Sequence, residues 1–276
     1  MGDRPAELAR AVHSVTSQHG APIEVVVVGN GVAVPAPAPA VRTMSLPENV
    51  GVPAGRNVGW AQTSADVVIF LDDDGWFPEP DLGERLRAAF AADPRLGIVA
   101  FRVTDPDDAS TQRRHVPRLV VGDPMRSSEV TTFVGGACAV RRKVLEEVGG
   151  LPDAFFYAHE ETDLAWRALD AGWRIRYDAG ALMHHPGTSP TRHASYLRLN
   201  ARNRVWLARR NLPAALAVLY LLCWVALTVV RVRQPAALKA WFAGFVEGLR
   251  TDAGPRRPLR WATAWRMTRL GRPPLL

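Results

Sequence analysis

Along the first 190 residues the apolar positions switch repeatedly between helical and strand-like spacing. Over residues 5–18 they recur every three or four positions, which predicts a helix with Pro5 in its first turn. Ile23–Val28 is a short apolar run closed by Gly29-Asn30-Gly31, the pattern of a buried strand entering a turn. From Val32 to Ala40 proline alternates with alanine, which predicts an extended loop. Ala65–Leu71 reads as a second buried strand, with Asp72-Asp73-Asp74-Gly75 at its C-terminal edge. A helix over Asp81–Ala92, a strand over Leu96–Val103 and a polar loop over Asp105–Ser110 follow. Thr131–Val140 reads as a strand broken at Gly135-Gly136, then Arg141–Val148 as a helix that Gly149-Gly150 stops. The last pair is a helix over Leu164–Ala171 and an alternating strand over Trp173–Tyr177. Strands alternating with helices imply an α/β domain with a largely parallel sheet flanked by helices. No strand signal remains after about residue 195, so the chain divides into an α/β domain over 1–195 and a helical region over 196–276.

That helical region contains Pro213–Val230, 18 residues without a charge, bracketed by Arg209-Arg210 and by Arg231 and Arg233. As a helix it covers about 27 Å, just short of a hydrocarbon core. It can span with snorkelling arginines, lie in the interface, or pack as a buried helix. The formal charge of +7 belongs to the same end. Residues 231–276 carry ten Arg/Lys against Glu247 and Asp252, a net +8 that leaves −1 for the rest. Trp241, Phe242, Phe245, Trp261 and Trp265 lie among those cations. Aromatics mixed with arginine suit an anionic lipid surface better than a nucleic-acid groove, so a membrane partner is expected and a nucleic-acid partner is not. Apolar residues at 47% and charged ones at 22% exclude a disordered or fibrous chain. Two cysteines make neither a zinc site nor a disulfide framework, and with no secretory signal at the start the chain reads as intracellular.

Three clusters could carry chemistry. In open α/β sheets ligands bind at the carboxyl edge of the strands, where Asp72, Asp73 and Asp74 fall. On an extended chain residues 72 and 74 point one way and 73 the other, so the first and third carboxylates can share a divalent ion. The alternative is an acidic turn ahead of the next helix. His159-Glu160-Glu161-Thr162-Asp163 precedes Leu164-Ala165-Trp166-Arg167. Helix-dipole effects and the Asp163/Arg167 spacing explain part of it. A carboxylate beside the aromatic stretch Ala154–Ala158 could also have the raised proton affinity of a general base. In His184-His185 the two rings point apart on an extended chain, so at most one would ligate a given ion.

Taken in order, these pieces resemble a known family. Asn49–Gly59 (N-V-G-V-P-A-G-R-N-V-G), Phe70–Asp74, Gly135–Arg142, Glu160–Arg167 and His184 together are similar to the family 2 inverting glycosyltransferases of GT-A fold. The resemblance covers roughly residues 3–190. The stretch Asn200–Asn211 resembles actinobacterial members that act at the membrane on cell-envelope polysaccharides. It implies that Asp72 and Asp74 hold Mn²⁺ or Mg²⁺ against a sugar-nucleotide diphosphate, with His184 completing the metal shell. Glu161 is then the base, in a catalytic group with Glu160 and Asp163, although the family usually has Asp at the Glu161 position. Asn30, Arg56, Asn57, Asp73, Gly135, Gly136 and Arg167 are expected around the substrates. Gly29 stands where the family commonly has an acid that meets the nucleobase, which leaves Asn30 to make that contact.

The implied reaction passes a sugar from a nucleotide-sugar donor to a cell-envelope glycan or polyprenyl-linked acceptor at the cytoplasmic face of the membrane. The acceptor hydroxyl is too weak an acid to ionise at neutral pH, so Glu161 would take its proton as the new bond forms. One direct displacement inverts the anomeric centre. A membrane-bound scaffold that keeps the fold and binds glycan without catalysis is the alternative. The family opens with a buried strand before its first helix, and here the chain begins where that strand has already ended. The expectation is that Met1 is internal or that a central strand is missing, and that a version extended upstream melts higher and turns over faster.

Overall fold

β4 (Leu96–Thr104), buried at every position but Arg102, lies in the middle of a five-stranded sheet. The computed structural model describes residues 4–34, 38–119, 122–187 and 195–275. In it β3 (Val67–Leu71), β6 (Ala137–Arg141), β4, β7 (Arg174–His184) and β5 (Ser128–Glu129) stand side by side in that order. Successive side chains of β4 face opposite sides. Ile98 and Ala100 join a core with Val140, Leu164, Ile175 and Tyr177. Val99, Phe101 and Val103 join a second core, with Met183 and with Leu82, Leu86 and Phe90 of α3 (Leu82–Ala92). Helices α4 (Arg142–Val148) and α5 (Glu160–Asp170) pack in the first of these layers.

The α/β class holds, but the sheet is mixed rather than largely parallel. β4 and β7 pair in parallel; β3 with β6, β4 with β6, and β5 with β7 are antiparallel. A parallel neighbour needs a helical crossover. The connection from β4 to β6 offers only a three-residue 3₁₀ turn at Arg113–His115 among its described residues, and β6 runs back.

Ahead of this sheet, α1 (Pro5–Thr16) has Pro5 in its first turn. It leads to β1 (Val25–Asn30), which pairs in parallel with β2 (Val41–Leu46). β2 and α2 (Val52–Ala61) lie in a stretch whose sequence gave no clear period. The extended loop expected over Val32–Ala40 falls partly on residues 35–37, outside the described residues, as do residues 1–3. β1 and β2 form a sheet of their own, and no pairing joins β1 to β3 among the described residues. Between them lies a cavity of about 540 Å³ walled by Leu8, Val25, Val27, Val67 and Ile69, whose far end reaches Arg56 and Asp72.

The helical region begins with α6 (Tyr196–Asn211), followed by α7 (Ala214–Arg231), α8 (Pro235–Arg250) and α9 (Trp261–Arg269). Trp206, Leu207, Leu212 and Met267 share the core of Leu164 and Ile175. α6 and α8 touch backbone to backbone: a Cβ on Gly244 would stand 2.0 Å from the Arg198 carbonyl oxygen. α7 is different. It is apolar and long enough to cross a membrane, and 11% of it is buried. Ala217, Tyr220 and Thr228 pack inward, while Val218, Leu222, Val229 and Val230 face out.

Candidate active site

β3 delivers Asp72, Asp73 and Asp74 to its carboxyl edge. The Gly75 N–H donates to the Asp72 carbonyl at 3.0 Å and folds the chain tightly there. Trp76 and His184 then exchange backbone hydrogen bonds of 3.0 and 2.9 Å, clipping this turn to the end of β7. The clip brings the next residue, His185, onto Asp74, with Nε2 to Oδ1 at 3.1 Å. Arg56 from α2 donates to Asp72 Oδ1 at 2.7 Å. Arg4, one residue before α1, spreads its fork over Asp73 Oδ1 and Asp74 Oδ2, each at 2.5 Å.

Ligand atoms of Asp72, Asp74 and His185 all lie within 4.8 Å of one another. Two carboxylates and an imidazole suit Mn²⁺, and carboxylates suit Mg²⁺. The residues present therefore fit a divalent ion. Burial opposes ionisation of Asp74, yet the hydrogen bonds and charges of His185 and Arg4 outweigh it and hold this carboxyl well below the usual range. Burial likewise disfavours charge on His185, and Asp74 overcomes it, raising the imidazole's proton affinity.

The ligating histidine expected at 184 is corrected here. His184 shares a 2.8 Å hydrogen bond with Thr104 Oγ1 and packs its ring 5.5 Å from that of Trp76. Neighbouring residues on an extended chain face opposite ways, and the register of β7 on β4 gives the inner face to His185.

The second acidic cluster stands opposite the first, and Arg56 touches both. Its Nη2 holds Asp72, and its Nη1 lies 3.6 Å from Glu160 Oε1. Glu160 is buried, and its Oε2 has no hydrogen-bond partner among the described residues. Burial, and then the neighbouring Glu160 charge, push Glu161 up to about 8. Burial also raises Glu160, with Arg56 pulling the other way. Gly135 and Gly136 fit between these groups for want of a side chain. A Cβ on Gly135 would stand 2.4 Å from Arg56 Nη1, and one on Gly136 2.1 Å from Asp72 Oδ2.

The turn that presents the glutamates is strained: Phe156, Ala158 and His159 all have positive φ, between 64° and 73°. Asn203 of α6 secures it by donating to the carbonyls of Phe155, Tyr157 and Ala158 at 2.8–2.9 Å. His159 itself is neutral at ordinary pH, because burial and the nearby arginines push its pKa well down.

Four other expected site residues make hydrogen bonds that hold the surrounding fold. Asp163 is fully buried and saturated by Arg167 at 2.7 Å, Arg210 at 3.0 Å and Asn211 at 2.7 Å. It fastens α5 to α6 and has no lone pair left for catalysis. Arg167 spends its remaining donors on the carbonyls of Val148 and Gly150. Asn57 brackets Leu151, donating to its carbonyl at 2.8 Å and accepting from its N–H at 3.0 Å. Asn30 accepts from the Val50 N–H and donates to the Gly51 carbonyl, both at 2.9 Å, which sets the loop before α2. Beside it, a Cβ on Gly29 would come 2.3 Å from the Val32 carbonyl oxygen, so this backbone has no room for an acid there. Arg4, His185 and Asn203 are the residues sequence reasoning missed. Only His185 had a signal, its adjacency to His184.

Comparison with known proteins places this geometry. The profile described as Glycosyl transferase family 2 matches residues 3–149. Pre-mycofactocin glycosyltransferase of two Mycobacterium tuberculosis strains is 30% identical over 217 residues, which cover 71% of this chain and 41% of the relative. The chain thus spans less than half the length of those curated relatives. Among solved structures, the mannosyltransferase PcManGT from Pyrobaculum calidifontis, in complex with GDP-Man and Mn²⁺, superposes with a TM-score of 0.56 at 17% identity, covering 98% of this chain and 71% of that one. GalNAc-T7 with UDP, GalNAc and Mn²⁺ gives 0.61 at 14% identity, covering 86% and 51%. The fold is that of the GT-A glycosyltransferases.

Proposed function

The chain belongs to glycosyl transferase family 2, and from that premise we propose that it passes a sugar from a nucleotide-sugar donor to a cell-envelope glycan or lipid-linked acceptor in one inverting displacement. The observation that carries this reading is Arg56, which draws Asp72 and Glu160 into one site at 2.7 and 3.6 Å. Asp72, Asp74 and His185 would hold the divalent ion, and when bound it would offset the negative charge growing on the leaving diphosphate. Glu161 supplies the base. Its raised proton affinity suits it to accept the acceptor's hydroxyl proton, a contribution of roughly 10²- to 10⁴-fold. Glu160 and Arg56 position it, and Asn203 holds the turn from which it projects. GDP-Man and UDP in the similar structures support a nucleoside-diphosphate donor. The exposed apolar face of α7, with Arg231 and Arg233 at its end, supports attachment to an anionic membrane surface at the cytoplasmic face.

The test is metal-dependent release of nucleoside diphosphate from a panel of sugar nucleotides. The expected result is turnover that Asp74→Ala and Glu161→Gln each abolish while circular dichroism stays native. Turnover indifferent to both substitutions would overturn the assignment.

A further inference from the structure

Arg4 stands where a cation is wanted. Its fork contacts Asp74 Oδ2, on a carboxylate of the ion-binding group, and Asp73 Oδ1 beside it, both at 2.5 Å. Asp74 has its other oxygen on His185, so both of its oxygens are engaged by this chain's own groups. The attachment point is fixed, because the Arg4 carbonyl accepts the Leu8 N–H at 2.9 Å and so belongs to the first turn of α1. The side chain itself lies partly open to solvent, 34% exposed, whereas the Asp74 carboxylate it covers is 4% exposed. A divalent ion on Asp74 and a guanidinium on the same carboxylate repel each other and compete for the same lone pairs.

We propose that Arg4 is the built-in competitor of the metal ion, and that once displaced it serves as a ligand for the donor's diphosphate. Its fork matches phosphate oxygens as it matches carboxylates. One residue then guards the acidic site in the donor-free protein and rewards joint arrival of ion and nucleotide. This inference rests on the metal site of the proposed function and deepens it.

The experiment is a titration of the whole chain with Mn²⁺ alone, followed through the free-ion electron paramagnetic resonance signal, for the unaltered protein, Arg4→Gln, Arg4→Lys and Asp74→Asn. The expected result is roughly tenfold tighter Mn²⁺ binding by Arg4→Gln, with Arg4→Lys in between because a lysine keeps the charge and loses the fork. A second titration with GDP or UDP at saturating Mn²⁺ is expected to show roughly tenfold weaker nucleotide binding by Arg4→Gln. Equal or weaker Mn²⁺ binding by Arg4→Gln, with Asp74→Asn still abolishing it, overturns the competition and leaves the metal site standing. Unchanged nucleotide affinity overturns the diphosphate role. Mn²⁺ binding by none of the four proteins overturns the metal site and this inference together.

Discussion

The two acidic clusters of the site hold the same kind of group in opposite states. Each aspartate at the end of β3 has a cation beside it: Arg56 on Asp72, Arg4 on Asp73, and Arg4 with His185 on Asp74. Glu160, across Arg56, has that guanidinium at 3.6 Å, and it is already bonded to Asp72. Asp74 is therefore held ionised while Glu161 is pushed up to about 8. Burial pushes both kinds of carboxyl towards the protonated form, and the bonds from Arg4 and His185 reverse that at Asp74, while at Glu161 the neighbouring Glu160 charge adds to it.

Removing the proton acceptor breaks this contrast most sharply. Glu161→Gln is expected to lower turnover by roughly 10²- to 10⁴-fold. It should also make the protein more stable in mild alkali. The folded state holds the Glu161 proton up to about 8, against 4.5 for an ordinary glutamate. Between those values the folded form binds more protons than the unfolded one, so stability falls as pH rises. Melting curves of the unaltered protein should drop from pH 5 to pH 8.5 more steeply than those of Glu161→Gln, while turnover of the unaltered protein rises over the same range. Parallel melting profiles would show that Glu161 carries no such burden.

A third acid sets the scale for stability. Asp163 lies only two residues further on, yet it has Arg167, Arg210 and Asn211 around it and is fully buried. Asp163→Ala strands two guanidiniums in a buried place and is expected to cost about 3–5 kcal/mol in denaturant unfolding. Smaller still is the effect of crowding the Asp72 carboxylate. Gly136→Ala puts a methyl 2.1 Å from Oδ2, 2.3 Å from Cγ and 2.5 Å from Oδ1, so the whole group must move. At Gly135 the clash is with the tip of a flexible arginine, and the next atom is 3.3 Å away. Gly136→Ala is expected to weaken Mn²⁺ binding roughly tenfold and Gly135→Ala by less, a split that thermal shift with and without the ion reads directly.

Much of this was legible from residue spacing, and what was not has a physical reason. Strand β4 announced itself because burial on both faces leaves little choice of side chain, and β3 and helix α3 through their apolar runs and turn residues. Strand β2 and helix α2 did not, since β2 alternates in a sheet of only two strands and α2 opens on Val52-Pro53 without a capping side chain. Chemistry and spacing marked Asp72, Asp74, Glu160 and Glu161 as candidates, and the resemblance implied their roles. Their tuning was not, because Arg4, Arg56 and Asn203 reach the site from distant elements, and which cation meets which acid is fixed only once those elements pack. At Asp163 the Arg167 partner four residues on was legible, but Arg210 and Asn211 come from α6, more than 40 residues on.

The adjacent histidines give the finest test. The structure turns His185 to Asp74 and His184 to Thr104 and Trp76. His185→Ala should weaken Mn²⁺ binding by at least roughly tenfold, since it removes one of the three candidate ligands outright. His184→Ala removes a ring that packs on Trp76, over which Arg10 also lies at 3.5 Å, and should leave the affinity within about twofold. The backbone clip between residues 76 and 184 does not depend on either ring, so the turn that carries Asp74 survives both changes. A larger loss of Mn²⁺ affinity from His184→Ala than from His185→Ala would mean that the strand end turns the other way when the ion binds.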